Sequence, residues 1–244
     1  MLTKPKAIIF DLDDTLIMSD GTVRKTWEEV CKKYQTSHPD IDREELFEKI
    51  REIAVWYWSD KTRHREGRIN MDRTRRTIAI KAFEQLGLDD EQGAITMADR
   101  FSELRYSKLE LFPGSIELLK MIRQAEIGLG LLTNGESKMQ RRKIEQFNLA
   151  PYFNVIQVEG EAGVGKPEVA AYELILKSLG TRPEETWIVG DNLEWEVIVP
   201  QQLGLTAIWH NYYQKEISDP DVVPDRTLSV IAELAAVLTE TLSN

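Results

Sequence analysis

The chain has 244 residues, 42% of them hydrophobic and 30% charged, with a net charge of −10. That length allows one large or two smaller domains with proper cores. The acidic balance argues against broad electrostatic binding to nucleic acid or to anionic membranes. No apolar run is long enough to span a bilayer, the first residues carry no basic stretch followed by an apolar one, and the lone cysteine, Cys31, excludes an intramolecular disulfide. The expectation is a cytoplasmic protein.

The first element is Ala7-Ile-Ile-Phe10, four apolar residues that suit a strand buried on both faces of a parallel sheet. Asp is a poor strand residue, so the strand should stop where Asp11, Asp13 and Asp14 begin. Residues 22 to about 108 then read as helical. Trp27, Val30, Cys31 and Tyr34 follow one helix face, as do Leu46, Phe47, Ile50, Ile53, Ala54 and Tyr57 in a segment starting near Asp42. A third helix is predicted from Asn70 to Leu86 with Gly87 beyond its end, and a fourth from Glu91 to Lys108. Four amphipathic helices with short loops predict a small bundle.

From Phe112-Pro113-Gly114 the pattern becomes alternating. Ser115 is placed to cap a helix running to Arg123, and strands are predicted at 127–132, 155–158, 186–189 and 206–209. Helices are predicted at 136–147, 167–179, before Gly204 and at 228–238. Alternation of this kind predicts an α/β fold, a doubly wound parallel sheet, with residues 1–17 and 112–244 as a discontinuous core and the bundle of 18–111 inserted into it.

The polar residues gather where strands end: Asp11 and Asp13, Thr133 and Asn134, and Asp191, with Lys166 following the strand near 155. In a parallel sheet these share the carboxyl edge, where open α/β sheets put their ligands. Oxygen ligands without His or Cys fit Mg²⁺ rather than zinc. An Asp nucleophile with a metal and a lysine suits phosphoryl transfer, which depends on positioning and charge neutralisation.

Asp11-Leu-Asp13-Asp14-Thr15-Leu, Leu132-Thr133-Asn134-Gly135, Gly165-Lys166-Pro167 and Val189-Gly190-Asp191-Asn192 resemble the four ordered motifs of the haloacid dehalogenase-like (HAD) hydrolases, over essentially the whole chain. The resemblance implies a Rossmann-like HAD core with a helical cap between the first and second motifs, close to the phosphoglycolate phosphatase-like group. It implies a phosphatase in which Asp11 forms an aspartyl-phosphate and Asp13 protonates the leaving group. Mg²⁺ would be held by Asp11, by the backbone carbonyl of Asp13 and by Asp191, with Thr133, Asn134 and Lys166 on the phosphate. An acid at Asp13 favours phosphate chemistry, since the leaving oxygen of an ester needs a proton. The implied partner is a small phosphorylated metabolite, with neither nucleic acid nor membrane, on a monomer or homodimer. The alternatives are a phosphomutase of the same superfamily and a non-catalytic HAD-like binding protein.

Glu196 departs from the family pattern, which usually carries a second Asp there; it is a candidate to reach the metal directly or through a water, ahead of Glu194. Gly160 to Lys166 has the spacing of a phosphate-binding P-loop, but Pro167 replaces the hydroxyl residue that motif requires, and that reading is rejected. In the cap segment, Lys61 to Arg76 holds seven cations against Glu66 and Asp72. These either draw in an anionic substrate or pair with the many acids nearby. Trp56, Tyr57 and Trp58 cannot share one helix face, so at least one should border the cleft or the seam with the core.

Overall fold

A computed structural model of the chain describes residues 2–242. The chain divides into two compact units, Ser19–Leu109 and the segments on either side of it.

The unit built from the flanking segments begins with β1 (Ala7–Phe10), which leads through a tight loop to β2 (Ile17–Met18). Ser19–Leu109 contains α1 (Val23–Ser37), α2 (Arg43–Ser59), α3 (Lys61–Arg68), α4 (Met71–Gln85) and α5 (Glu91–Ser107). The chain returns through β3 (Glu110–Leu111), antiparallel to β2, into α6 (Ser115–Gln124), β4 (Gly128–Thr133), α7 (Ser137–Gln146), β5 (Val155–Val158), the short α8 (Glu159–Ala162), α9 (Val169–Leu179) and β6 (Thr186–Gly190). A π-helical turn (Leu193–Ile198), α10 (Val199–Gln202), β7 (Thr206–His210), β8 (Arg226–Leu228) and α11 (Leu234–Leu242) complete the described residues.

The sheet order is β5-β4-β1-β6-β7-β8, and every pairing in it is parallel. β1 lies between β4 and β6 with all four side chains fully buried, which is why its sequence is a continuous apolar run. Burying each Ile or Phe there is worth about 1.5–3 kcal/mol. One part of the core joins Ile9, Leu132, Ile188 and Trp209 of the sheet to Tyr172 and Ile175 of α9 and Val197 of the π-helical turn. Among the described residues no helix is long and apolar enough to cross a membrane.

The helical unit has its own core, in which Trp27, Phe47, Ile50, Ala82, Phe83 and Phe101 pack together. Asp42 caps α2 by accepting from the Glu44 and Glu45 amides, and Asp90 caps α5 by accepting from Gly93 N at 2.8 Å. The segment holds five helices rather than four. Asp60 accepts from Arg63 N at 2.8 Å and starts α3, a polar helix with no apolar periodicity to announce it. Within the basic segment Arg76 is paired with Asp99, Arg75 donates to Ser102, and Arg63 stacks on Trp56 with its carbon 4.1 Å from the ring. Trp56 is the half-exposed member of its aromatic trio; Tyr57 and Trp58 pack against the core.

Two further expectations are corrected. Ser115 does not cap α6; its hydroxyl donates to Leu16 O at 3.3 Å, and Gly114, at φ 86°, takes the cap position. The C-terminal helix begins at Leu234 rather than 228, because Arg226–Leu228 is a strand paired with β7.

Candidate active site

Parallel register brings the ends of β1, β4 and β6 to one edge, with Phe10 level with Leu131 and Val189. Asp11 follows directly, its amide donating to Val189 O at 3.0 Å. The loop behind it turns at Asp14, which sits in the left-handed region at φ 58°, a conformation that Asp tolerates better than most residues. Asp14 is held there by its surroundings. Its amide donates to Ile17 O at 2.7 Å, Tyr213 OH donates to its carboxylate at 3.1 Å, and its carbonyl lies 3.0 Å from His210 Nδ1. Burial pulls the His210 imidazole below its ordinary range, against the Asp14 carbonyl and charge, which favours the neutral ring.

Asp11 is buried, with Lys166 Nζ 2.6 Å from Oδ1 and Thr15 Oγ1 3.2 Å from Oδ2. Burial raises its carboxyl above the ordinary range against the pull of Lys166, and the charge of Asp13 adds to the rise. Lys166 is only 1% exposed and also reaches Glu196 Oε1 at 2.6 Å. Burial works against its charge, but Asp11 and Glu196 outweigh that and keep it an ammonium. Both contacts are short enough to be charge-assisted.

Glu196 is fully buried, and its other oxygen accepts from Asn192 N at 3.0 Å. Burial pushes its carboxyl above the ordinary range, and the Lys166 ammonium opposes that rise. Both oxygens of this carboxylate, a candidate to reach a metal directly or through a water, are engaged here by Lys166 and the Asn192 amide. Gly190 makes this possible: a Cβ at that position would come within 2.0 Å of Glu196 Cγ. Glu194 is exposed.

Asp191 lies beyond the end of β6, with Lys215 Nζ 2.8 Å from Oδ2 and the Trp209 indole on its carbonyl at 2.9 Å. Its carboxyl is pushed up to about 6, first by burial and then by the charge of Asp11. Asn134 spends its side chain on the main chain of Lys166, donating to the carbonyl at 2.7 Å and accepting from the amide at 2.8 Å. It thereby clamps the loop that carries Lys166. The P-loop-like stretch is no cradle, since it holds α8, and Glu159 accepts the Gly135 amide at 2.9 Å.

Two residues that the sequence gives no reason to single out also reach this edge. Gln140 and Lys143 of α7 both contact Asp13, and Gln140 also donates to Thr133 Oγ1.

The haloacid dehalogenase-like hydrolase family matches residues 5–204. The chain belongs to that family. It is 27% identical over 248 residues to the phosphoserine phosphatase of Thermus thermophilus, covering 94% of this chain and 97% of that one. It is 24% identical over 241 residues to the glyceraldehyde 3-phosphate phosphatase of Methanopyrus kandleri, covering 96% and 97%. The fold of this hydrolase matches that of the HAD-hydrolase YfnB of Bacillus subtilis, solved bound to magnesium, with a TM-score of 0.71, 22% identity and 98% and 99% of the two chains covered.

Proposed function

We propose that this protein is a Mg²⁺-dependent phosphoric monoester hydrolase that works through a phosphoryl group carried on Asp11. The observation that supports the reading best is Asp11 itself, buried at a rigid strand end with one oxygen against the Lys166 ammonium and the other on Thr15. A carboxylate so fixed presents an attacking oxygen without a search for position.

Asp11 would attack the ester's phosphorus, so that an Asp11–phosphorus bond forms as the bond to the leaving oxygen breaks. Asp13 would give that oxygen its proton and then take one from the water that attacks phosphorus and regenerates Asp11. Thr133 and Lys166 would bind phosphoryl oxygens, Lys166 also balancing the charge on Asp11. An acid two residues beyond the nucleophile favours an ester over a carbon–halogen bond, whose leaving halide needs no proton.

The residues fit Mg²⁺. Among the described residues no three His, Cys, Asp or Glu side chains gather as a ready-made metal cluster. Burial first, and then the charge of Asp11, raises the Asp191 carboxyl, and a cation held by both carboxylates would relieve both costs. Those two carboxylates and the Asp13 carbonyl would leave the remaining positions to water, as Mg²⁺ prefers. When bound, the ion would draw charge from the phosphoryl oxygens.

Because the two relatives are named for a phosphorylated amino acid and for a triose phosphate, the substrate proposed is a small phosphorylated metabolite. The test is phosphate release from a panel of such esters with and without Mg²⁺. Release that needs Mg²⁺ and disappears in Asp11→Asn is expected. Interconversion of sugar phosphates without release would instead reveal a mutase, and inertness towards every ester with Mg²⁺ bound would indicate a binding protein.

A further inference from the structure

On α7, Gln140 and Lys143 lie three residues apart, so one turn presents both to the same side. Lys143 Nζ lies 2.8 and 2.7 Å from the two carboxylate oxygens of Asp13, and its side chain is 14% exposed. The Gln140 side-chain nitrogen, almost completely buried, donates to Asp13 Oδ2 at 3.0 Å and to Thr133 Oγ1. One amide thus joins the proposed acid to the proposed phosphate-binding hydroxyl.

The helix that carries them is itself fixed in place. Gly160 N donates to Gly135 O at 3.0 Å, and a Cβ on Gly160 would come within 2.7 Å of Ser137 N, so the start of α7 docks tightly on α8. Ser137 Oγ donates to Glu161 at 2.6 Å, and Arg141 forks onto the same carboxylate at 2.8 and 2.6 Å. An Asp side chain in a loop rotates among staggered rotamers unless its partners choose one. Here those partners come from a pinned helix.

We propose that Lys143 and Gln140 are positioning residues for Asp13, fixing its carboxylate beside Thr133 so that the proton-transferring group and the phosphate seat are set by one helical turn. The proposal rests on the phosphatase reading for its consequence, but its geometric content stands apart from it. Misplacing a reacting group by about 1 Å costs on the order of 100-fold in rate, and that loss should fall where a proton must be supplied.

The test compares native protein, Lys143→Met, Lys143→Arg and Gln140→Leu on two esters: an alkyl phosphate and p-nitrophenyl phosphate, whose leaving group departs without a proton. In Lys143→Met, kcat/KM on the alkyl ester is expected to fall about 100-fold, and at least about tenfold more than on the nitrophenyl ester. Gln140→Leu should shift the same ratio in the same direction, and Lys143→Arg should restore most of it. Equal losses on both esters, or none, would make the contacts merely structural and overturn the proposal. A crystal structure of Lys143→Met reads the geometry without activity. An Asp13 carboxylate displaced from Gln140 supports the proposal, and one unmoved overturns it. Native protein that releases phosphate from no ester would defeat the phosphatase reading while leaving this second measurement to decide the positioning claim.

Discussion

Lys166 sits between two buried carboxylates, and its energetics follow from that. Removing one partner of a buried pair leaves charge poorly compensated and costs about 3 kcal/mol or more. Glu196→Ala should therefore lower stability by about 3 kcal/mol, read from urea unfolding, because it also strips the acceptor from Asn192 N. A change within about 0.5 kcal/mol would show that Asp11 alone satisfies the ammonium. Asp191 gives a pH dependence. Its carboxyl is raised from 3.8 to about 6, so between those pH values the folded metal-free protein holds a proton there that the unfolded chain has lost. That contribution to stability is full below 3.8 and disappears as pH rises through about 6. Mg²⁺ needs the ionised form, so its affinity should rise with pH and level off above about 6. Titration calorimetry over that range checks this, and a flat affinity would remove Asp191 from the site. The places of Asp11, Asp13, Thr133 and Asp191 at the sheet edge were legible in the sequence because each ends or closely follows a strand, whereas Lys166 comes after α8 and stood out by its motif, Gly165-Lys166-Pro167. Gln140 and Lys143 were not legible, since they stand 127 and 130 residues from Asp13 and only the fold brings them there.

The decisive element is the π-helical turn Leu193–Ile198, which swings Glu196 back over Gly190. Such turns are rare and concentrate at functional sites. This one is held by Asn192 Oδ1 accepting from Trp195 N at 3.1 Å and by Tyr172 OH donating to Trp195 O at 2.6 Å. Tyr172→Phe should cost about 1 kcal/mol. Gly190→Ala should be worse, about 1–3 kcal/mol from overpacking alone, with phosphatase activity falling as Glu196 is pushed off Lys166. Thermal unfolding of the two variants side by side gives the order, and the reverse order would contradict this account of the turn. The elements themselves were legible to different degrees. β1 announced itself by four apolar residues. β8 did not, because Arg226-Thr227-Leu228 is short and only Leu228 is buried. The helix before Gly204 was expected, but nothing in Leu193–Ile198 distinguishes a π from an α hydrogen-bond pattern.

Across the whole molecule, strand–helix alternation after residue 112 predicted the parallel doubly wound sheet, and crossover chirality leaves such a pattern few other solutions. The helical periodicity of the inserted segment predicts a bundle, and the fifth helix carries no such signal because α3 is almost wholly polar. Ser19–Leu109 has a core of its own around Trp27, Phe47, Phe83 and Phe101. A fragment of those residues should be helical by circular dichroism and melt cooperatively. A featureless melt would mean that the bundle needs the rest of the chain to fold. The central claim, a phosphoryl group carried on Asp11, has the most direct test of all. Native protein is mixed with Mg²⁺ and an ester it hydrolyses, quenched in acid during turnover, and digested for mass spectrometry. The account predicts phosphate on the peptide containing Asp11, labile to hydroxylamine and missing from Asp11→Asn. Steady turnover with that peptide unmodified and the Asp11→Asn variant still active would contradict it.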